Sequence, residues 1–560
     1  MKKLPRPRPT QRSLACLLML GAFACGLSAA ENPAHPNVLF VIADDMDLRG
    51  AFGAQAHTPN LDRLRKESVD FSNAHCAVPL CGPSRACMLT GLNASTTGWY
   101  GWGQNPSAMK GWKDWSERPV IKDCTVLPQH FAKNGYDVFG TGKIGHGRDK
   151  DDWMFTNTDG KTNWGFKPVS QGPWPSDGID PAMLKRTGKK WLHSAKVPEY
   201  MPEPMQEVNR WFAPLSHVPD IPPDPKTGAT GYKGWTDWGE PFRYVSEDDR
   251  DLMTDEKSAR YAVDVIREKH ERPFMMMVGF CKPHEPLVAP QKYFDLFKDV
   301  KIDLPPYRAD DLEDCARPLR TGAQGMRVFK AVQSCGEDFW KEYIRAYLAC
   351  TAFMDAQLGQ VLDALAASPY ANNTIIVFIG DNGYHLGEKS TIDKMTLWNE
   401  STRVPLMIHV PEMKTGGETC PHPVSLIDLY PTLIDLCGLP KNPHSKSGVS
   451  LDGYSLLPFL ENPASGKWTG PDEAFTAWMG RPTKEQRADC MVQGAAKDQH
   501  FAVCSDRYRY ILANNGDEEL YDHQSDPNEW TNRAADPELA QVKADLRAKM
   551  ERRLSHSPCP

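Results

Sequence analysis

Asn37-Val38-Leu39-Phe40-Val41-Ile42-Ala43-Asp44-Asp45 is the stretch that decides the fold. Behind Pro36 the run is apolar on both faces, which suits a central strand of a parallel sheet, covered on each side. It ends abruptly on two carboxylates. Further along, residues 58–68 carry Leu61 and Leu64 at helical spacing with Pro59 at a first helical position. A helix over 125–134 leads into a strand at 137–140. The amphipathic stretch 257–269 leads into a strand at 274–280, and a long helix over 341–367 into one at 374–379. Residues 404–410 supply one more. This alternation predicts an α/β fold with a large, mostly parallel central sheet flanked by helices.

Two regions depart from that rhythm. Residues 151–250 are rich in Pro, Gly and Trp and weakly periodic, so they read as an extended insertion over one edge of the sheet. Near the end, 507–512 alternates like a strand, 518–532 is turn-rich, and a charged helix begins near Pro537. A smaller C-terminal α+β subdomain is therefore expected over 466–560, after a main domain over 31–465 and a leader over 1–30.

The 560 residues are 24% charged and 40% hydrophobic, a globular composition too long for a single core. The net charge of −7 becomes −12 without the leader, 60 cations against 72 acids, which argues against a general nucleic-acid binder. Lys2, Lys3, Arg6, Arg8 and Arg12 precede an apolar run from Leu14 to Leu27, and Ser28-Ala29-Ala30 supplies small residues for cleavage. Export to the periplasm or beyond is expected, with no membrane span in the mature chain. Thirteen cysteines remain after the leader, an odd number, without the close spacing of a zinc site. Disulfides are expected among Cys315, Cys335, Cys350, Cys420, Cys437, Cys490 and Cys504.

Chemistry gathers where strands end. Asp44-Asp45 follows the first strand and Asp381-Asn382 follows the strand at 374–379. Ligands of open α/β sheets sit at the carboxyl ends of strands, and four hard oxygen-bearing side chains suit Ca²⁺ or Mg²⁺. Either pair read alone is more readily a turn or helix cap; the two together, at equivalent strand ends, point to a cation. Cys81-Gly82-Pro83-Ser84-Arg85 opens a short helix that Gly91 ends. Cys81 then stands at a helix N-terminus, where partial positive charge favours an anionic nucleophile or substrate. A structural cysteine and a bare thiol nucleophile are the competing readings.

At these residues the chain resembles the type I sulfatases of the alkaline-phosphatase-like superfamily. Cys-x-Pro-Ser-Arg opening a helix that closes on Leu89-Thr90-Gly91 is similar to their signature, and the likeness runs from about Asn37 to Asp536. The resemblance implies that a formylglycine-generating maturation enzyme oxidises Cys81 to 3-oxoalanine (formylglycine), whose hydrate is the nucleophile. It implies metal ligands at Asp44, Asp45, Cys81, Asp381 and Asn382. Gly142-Lys143-Ile144-Gly145-His146 resembles the element that contacts the modified residue, and Lys282-Pro283-His284 the segment whose His faces sulfate. Lys394 matches a second sulfate-binding lysine. Spacing most resembles the iduronate-2-sulfatase-like branch, although that branch often has His where this chain has Asn382.

By the resemblance, Arg85 and Lys143 hold the nucleophile, His146 is a base, and His284 or Lys394 protonates the leaving oxygen, consistent with electrostatic stabilisation of a sulfate ester's developing charge. Trp99, Tyr100, Trp102, Trp112, Trp115 and Trp398 suit stacking on a sulfated sugar, or else fill core. Lys282 and His385 are expected as further substrate contacts, with His385 alternatively capping its turn. The competing functions are a phosphodiester or phosphonate ester hydrolase and a non-catalytic sulfated-glycan binder.

Overall fold

The opening strand β1 is Asn37–Asp44, and every one of its eight residues is buried. In the computed structural model, which describes residues 35–101, 120–146, 152–165, 172–175, 201–208, 210–221, 232–237, 240–320, 324–480 and 498–555, β1 is central in a seven-stranded sheet. Its companions are β2 (Val69–Phe71), β3 (Asp137–Gly142), β4 (Phe274–Pro283), β5 (Thr374–Gly380), β6 (Leu406–His409) and β7 (Thr419–Cys420). The order across the sheet is β7-β2-β6-β5-β1-β4-β3. The four strands β5, β1, β4 and β3 are mutually parallel. Only β6 runs against its neighbours, β5 and β2.

The two-residue period of β1 explains the layering. Val38, Phe40 and Ile42 face a cluster with Met88 and Leu89 of helix α2 (Cys81–Thr90) and Phe131 of helix α3 (Leu127–Lys133). Leu39, Val41 and Ala43 face the opposite cluster. There they meet Leu61 and Leu64 of α1 (Pro59–Lys66), Val265 of α4 (Thr254–Arg267) and Leu358 of α5 (Glu337–Ala366). Helices therefore cover both faces, as the doubly apolar run requires.

Register places the chemistry. Val38 lies level with Met275 of β4 and Ile375 of β5, and Met275 with Val138 of β3. Four parallel strands in step deliver their carboxyl ends to one edge, where Asp44, Gly142, Pro283 and Gly380 terminate them. The pairing of β1 with β4 slips between Ala43 and Asp44, and the chain then turns at Asp45 with φ of 61°. Such a backbone is uncommon outside glycine. Tyr347, from the middle of α5, holds that turn by donating its hydroxyl to the Asp45 carbonyl at 2.7 Å and accepting from the Asp47 amide at 3.1 Å.

The C-terminal sheet is an antiparallel meander of β8 (Ala474–Trp478), β9 (His500–Cys504), β10 (Tyr508–Leu512) and β11 (Glu518–Asp522). Helix α6 (Ala540–Ser555) packs Leu546 and Met550 against Phe501, Val503 and Leu520. The meander joins the segment before α2, with the Ala477 amide on the Ala77 carbonyl at 2.9 Å. Residues 518–522, expected as turn, form the largely buried edge strand of the meander. Its Glu519 is fully buried and takes hydrogen bonds from Trp398, Tyr521 and the Ala316 amide, so a charged residue there marks a polar core rather than a turn.

The expected disulfides do not form among the described residues, where Cys315, Cys335, Cys350, Cys420, Cys437 and Cys504 are all free thiols. Cys490 and the leader lie outside the described residues. No helix among the described residues is long and apolar enough to cross a membrane.

Candidate active site

Helix α2 begins at Cys81 after an extended Leu80, and no side chain caps its first turn. Its open N–H groups and the aligned peptide dipoles leave partial positive charge beside the Cys81 sulfur. The helix ends at Gly91, whose left-handed backbone (φ 68°) is inexpensive only for glycine. At the other end Gly82 leaves space for close packing, since a Cβ there would lie 3.2 Å from the Trp99 ring and 3.5 Å from His146.

Three cations, each paired with carboxylates, surround the sulfur. Arg85, fully buried, donates Nε to Asp381 Oδ2 at 2.7 Å and Nη2 to Asp44 Oδ1 at 3.2 Å. It also binds the Lys143 and Ile144 carbonyls, so one guanidinium ties the ends of three strands together. Lys143 pairs with Asp44 Oδ2. Lys394 pairs with Asp45 Oδ1 and stands 3.7 Å from Cys81 Sγ. Ser84 donates to the Asp381 carbonyl at 2.6 Å. Glycine at 142 is needed for this: with φ of 76° the chain leaves β3 so closely that a Cβ would meet the Gly279 oxygen at 1.9 Å.

These partners set the charge states. Burial pushes the Asp44 carboxyl upward, but Lys143, His284 and Arg85 outweigh it and hold it well below the ordinary carboxylate range. Burial lifts Asp45 to about 6 against the pull of Lys394, and lifts Asp381 to about 6 against Arg85. Burial and the Lys394 charge bring His284 down to about 4. Burial and Lys143 depress His146 further below its usual value. Both imidazoles are therefore neutral near pH 7. Burial opposes protonation of Lys143 and Lys394, yet Asp44 and Asp45 keep them charged. His284 Nδ1 donates to the Glu285 carbonyl at 2.7 Å, which leaves Nε2 facing Asp45 Oδ2 at 3.5 Å.

The donor set fits a hard cation. Ligand atoms of Asp44, Asp381 and Cys81 lie within 4.8 Å of one another. Asn382 donates its amide nitrogen to Asp45 Oδ1 at 2.9 Å, while its buried Oδ1 has no hydrogen-bond partner. A buried oxygen without a donor is costly unless a cation takes it. Asp45 is joined to this group through its own amide, which donates to Asp381 Oδ1 at 3.1 Å.

The structure thus brings Asp44, Asp45, Cys81, Arg85, Lys143, His146, His284, Asp381, Asn382 and Lys394 to one edge of the sheet. The expected substrate contacts fare differently. Trp398 is fully buried, donates Nε1 to Glu519 at 2.9 Å and packs with Ile511 and Tyr521, so it is core and not a sugar platform. Trp99 and Tyr100 are buried as well. Lys282 turns its ammonium to the Pro286 and His284 carbonyls and braces its own loop. His385 is fully buried, bonded to Thr396 Oγ1 at 2.8 Å and lowered by burial to about 4. Trp102, Trp112 and Trp115 lie outside the described residues. Sequence reasoning missed Tyr347, Ser84 and Arg210, the last of which pairs with Glu285 and Asp393 beside His284 and Lys394. Ser84 lay within the quoted motif; Tyr347 and Arg210 belong to no local pattern.

Residues 36–439 match the profile of the family described as Sulfatase, and residues 387–556 that of N-sulphoglucosamine sulphohydrolase, C-terminal. A sulfatase of Formosa agariphila is 34% identical over 505 residues, covering 89% of this chain and 83% of that one. Iduronate 2-sulfatase of Mus musculus is 26% identical over 488 residues, covering 78% and 76%. Among solved structures, the phosphonate monoester hydrolase of Silicibacter pomeroyi aligns with a TM-score of 0.65 at 22% identity, covering 94% of this chain and 96% of that one. At that identity the likeness bears on the fold alone.

Proposed function

The chain belongs to the sulfatase family and is a sulfuric ester hydrolase; from that premise we propose that it removes sulfate from a glycan, with Cys81, oxidised to formylglycine, as the attacking residue. The observation that carries this reading is the position of Cys81. It opens a helix, with Lys394 Nζ at 3.7 Å and the donor atoms of Asp44 and Asp381 within 4.8 Å. A structural cysteine needs no such surroundings. A glycan is favoured because a relative covering three quarters of its own length is an iduronate 2-sulfatase. Export, read from the basic and apolar leader, would place the enzyme where extracellular polysaccharide fragments are met.

Asp44, Asp381 and the free oxygen of Asn382, with Asp45 alongside, would hold Ca²⁺, or Mg²⁺ in its place. When bound, the cation supplies positive charge to the oxygens of the sulfate group. Formylglycine supplies a hydroxyl nucleophile in place of a thiol. The chain's own residues do the rest. Arg85 fixes the strand ends, and the charged Lys143 and Lys394 attract and orient the anionic ester. His146 stands neutral beside the start of α2 and takes the base role by resemblance to the family, against the opposition of burial and Lys143 to its protonation. Protonation of the departing oxygen falls to His284 or Lys394. Lys394 already carries its proton, while His284 would have to take one up at Nε2, because Nδ1 is committed to Glu285.

Mass spectrometry of the peptide spanning Cys81, after expression with a maturation enzyme, tests the nucleophile. Conversion to the aldehyde together with turnover of an aryl sulfate is expected, and Cys81→Ala should abolish that turnover while leaving a folded protein. An unmodified thiol in an active enzyme would overturn the reading. Faster turnover of a phosphonate monoester than of the sulfate would move the chain to the other ester class.

A further inference from the structure

His284 and Lys394 come from different loops, after β4 and after β5, and a third segment joins them. Arg210 lies in the Pro- and Trp-rich insertion between a short helix, Glu203–Val208, and the strand Phe212–Pro214. That strand pairs in parallel with Leu287–Ala289, directly after the His284 loop, so the insertion is docked there by main-chain bonds. From this seat the Arg210 guanidinium pairs with Glu285 Oε2 and, at 2.9 Å through Nη2, with Asp393 Oδ2. Glu285 follows His284 and Asp393 precedes Lys394.

Both carboxylates are themselves committed. Glu285 Oε1 accepts from the Tyr343 hydroxyl at 2.5 Å and the Tyr384 hydroxyl at 3.1 Å. Asp393 Oδ1 accepts from the Lys394 amide at 2.8 Å. The backbone around Lys394 is strained, with φ of 112° at Asp393 and 74° at Met395, a state that lasts only where neighbours hold it. The bidentate reach of Arg suits such a two-carboxylate bridge better than the point charge of Lys.

We propose that Arg210 is a positioning residue of the sulfatase reaction: it locks the loop of His284 to the loop of Lys394 and so sets the geometry at the leaving oxygen. This rests on the sulfatase reading and adds a role for the insertion. Its role is exercised through Glu285 and Asp393 rather than on the reacting atoms.

The test compares wild-type, Arg210→Gln and Arg210→Lys, each matured and metal-loaded, on 4-nitrophenyl sulfate and on phenyl sulfate. The nitrophenolate departs readily without a proton and phenolate does not. Arg210→Gln is expected to lower kcat on phenyl sulfate at least tenfold, with a several-fold smaller loss on the nitrophenyl ester and little change in KM. Arg210→Lys should recover part of the loss. Equal losses on both esters, a loss confined to KM, or no loss would each overturn the proposal. Should Arg210→Gln fail to fold, the leaving-group dependence of the milder Arg210→Lys decides in the same way. Wild-type inactivity on both esters would instead count against the sulfatase reading itself.

Discussion

Trp398→Ala is expected to weaken the fold without redirecting specificity. The indole is fully buried among Leu397, Ala502, Ile511 and Tyr521, and its Nε1 serves a buried carboxylate, Glu519. Removing so large a core side chain costs about 3–5 kcal/mol. Loss of one donor adds about 1 kcal/mol, at the low end because Tyr521 and the Ala316 amide still serve Glu519. At about 2 cal/mol/K of unfolding entropy per residue, a domain of this size loses about 1 kcal/mol per degree, so melting should fall by about 4–6 °C. Trp398→Phe keeps most of the volume but loses the same donor, so it should cost about 2 °C. The assay pairs a thermal melt with kcat/KM on a sulfated sugar and an aryl sulfate, measured below the melt. An unchanged melt together with loss confined to the sugar would refute the reasoning and restore Trp398 as a platform.

Calcium should raise the melting temperature by about 2–3 °C at a hundred times its dissociation constant, since binding to the folded state alone contributes about 2.7 kcal/mol there. Chelation should remove that increment, and Asn382→Ala should show little of it; a melt indifferent to calcium would contradict the donor set. Glu400 gives a pH signature. Burial, with Glu388 and Glu529 nearby, raises its carboxyl from 4.5 to about 8. The folded state therefore holds this proton longer than the unfolded one, and the contribution present at low pH is lost as pH rises from 4.5 to about 8. Glu400→Gln should flatten that part of the stability profile in denaturant titrations, and an unaltered slope would show that the carboxyl is not so raised.

Much of the fold was legible because β1, β4 and β5 are buried on both faces and carry unbroken apolar runs. The pairs Asp44-Asp45 and Asp381-Asn382, and the Cys81 helix with its Gly91 stop, were legible for a related reason. Each sits where a regular element ends, so local pattern marks it. Residues that act across the fold left no such mark. Tyr347 is one aromatic among many along a 30-residue helix, and only the folded chain brings it to the Asp45 carbonyl. Arg210 lies in a segment without periodicity. The aromatics misled for the opposite reason: Trp398 follows Lys394 closely in sequence, but the chain turns it inward to Glu519. Glu519 in turn looked like a turn residue because a buried, fully bonded carboxylate cannot be told from an exposed one by its type.

If Cys81 is oxidised as proposed, the burial of α2 would also impose an order in time. Cys81 is 1% exposed and all ten residues of its helix are covered. A maturation enzyme of the kind proposed, needing to grip the chain around this cysteine, would have no access once the domain is complete. Yet β1 finds its partners only after long delays, since Val38 is level with Met275 and with Ile375, and such distant pairing is slow. Until those strands arrive, the sheet face that covers α2 does not exist. The wide sequence separation of the central strands would thus give the nascent chain an interval in which Cys81 is reachable, closed by completion of the sheet.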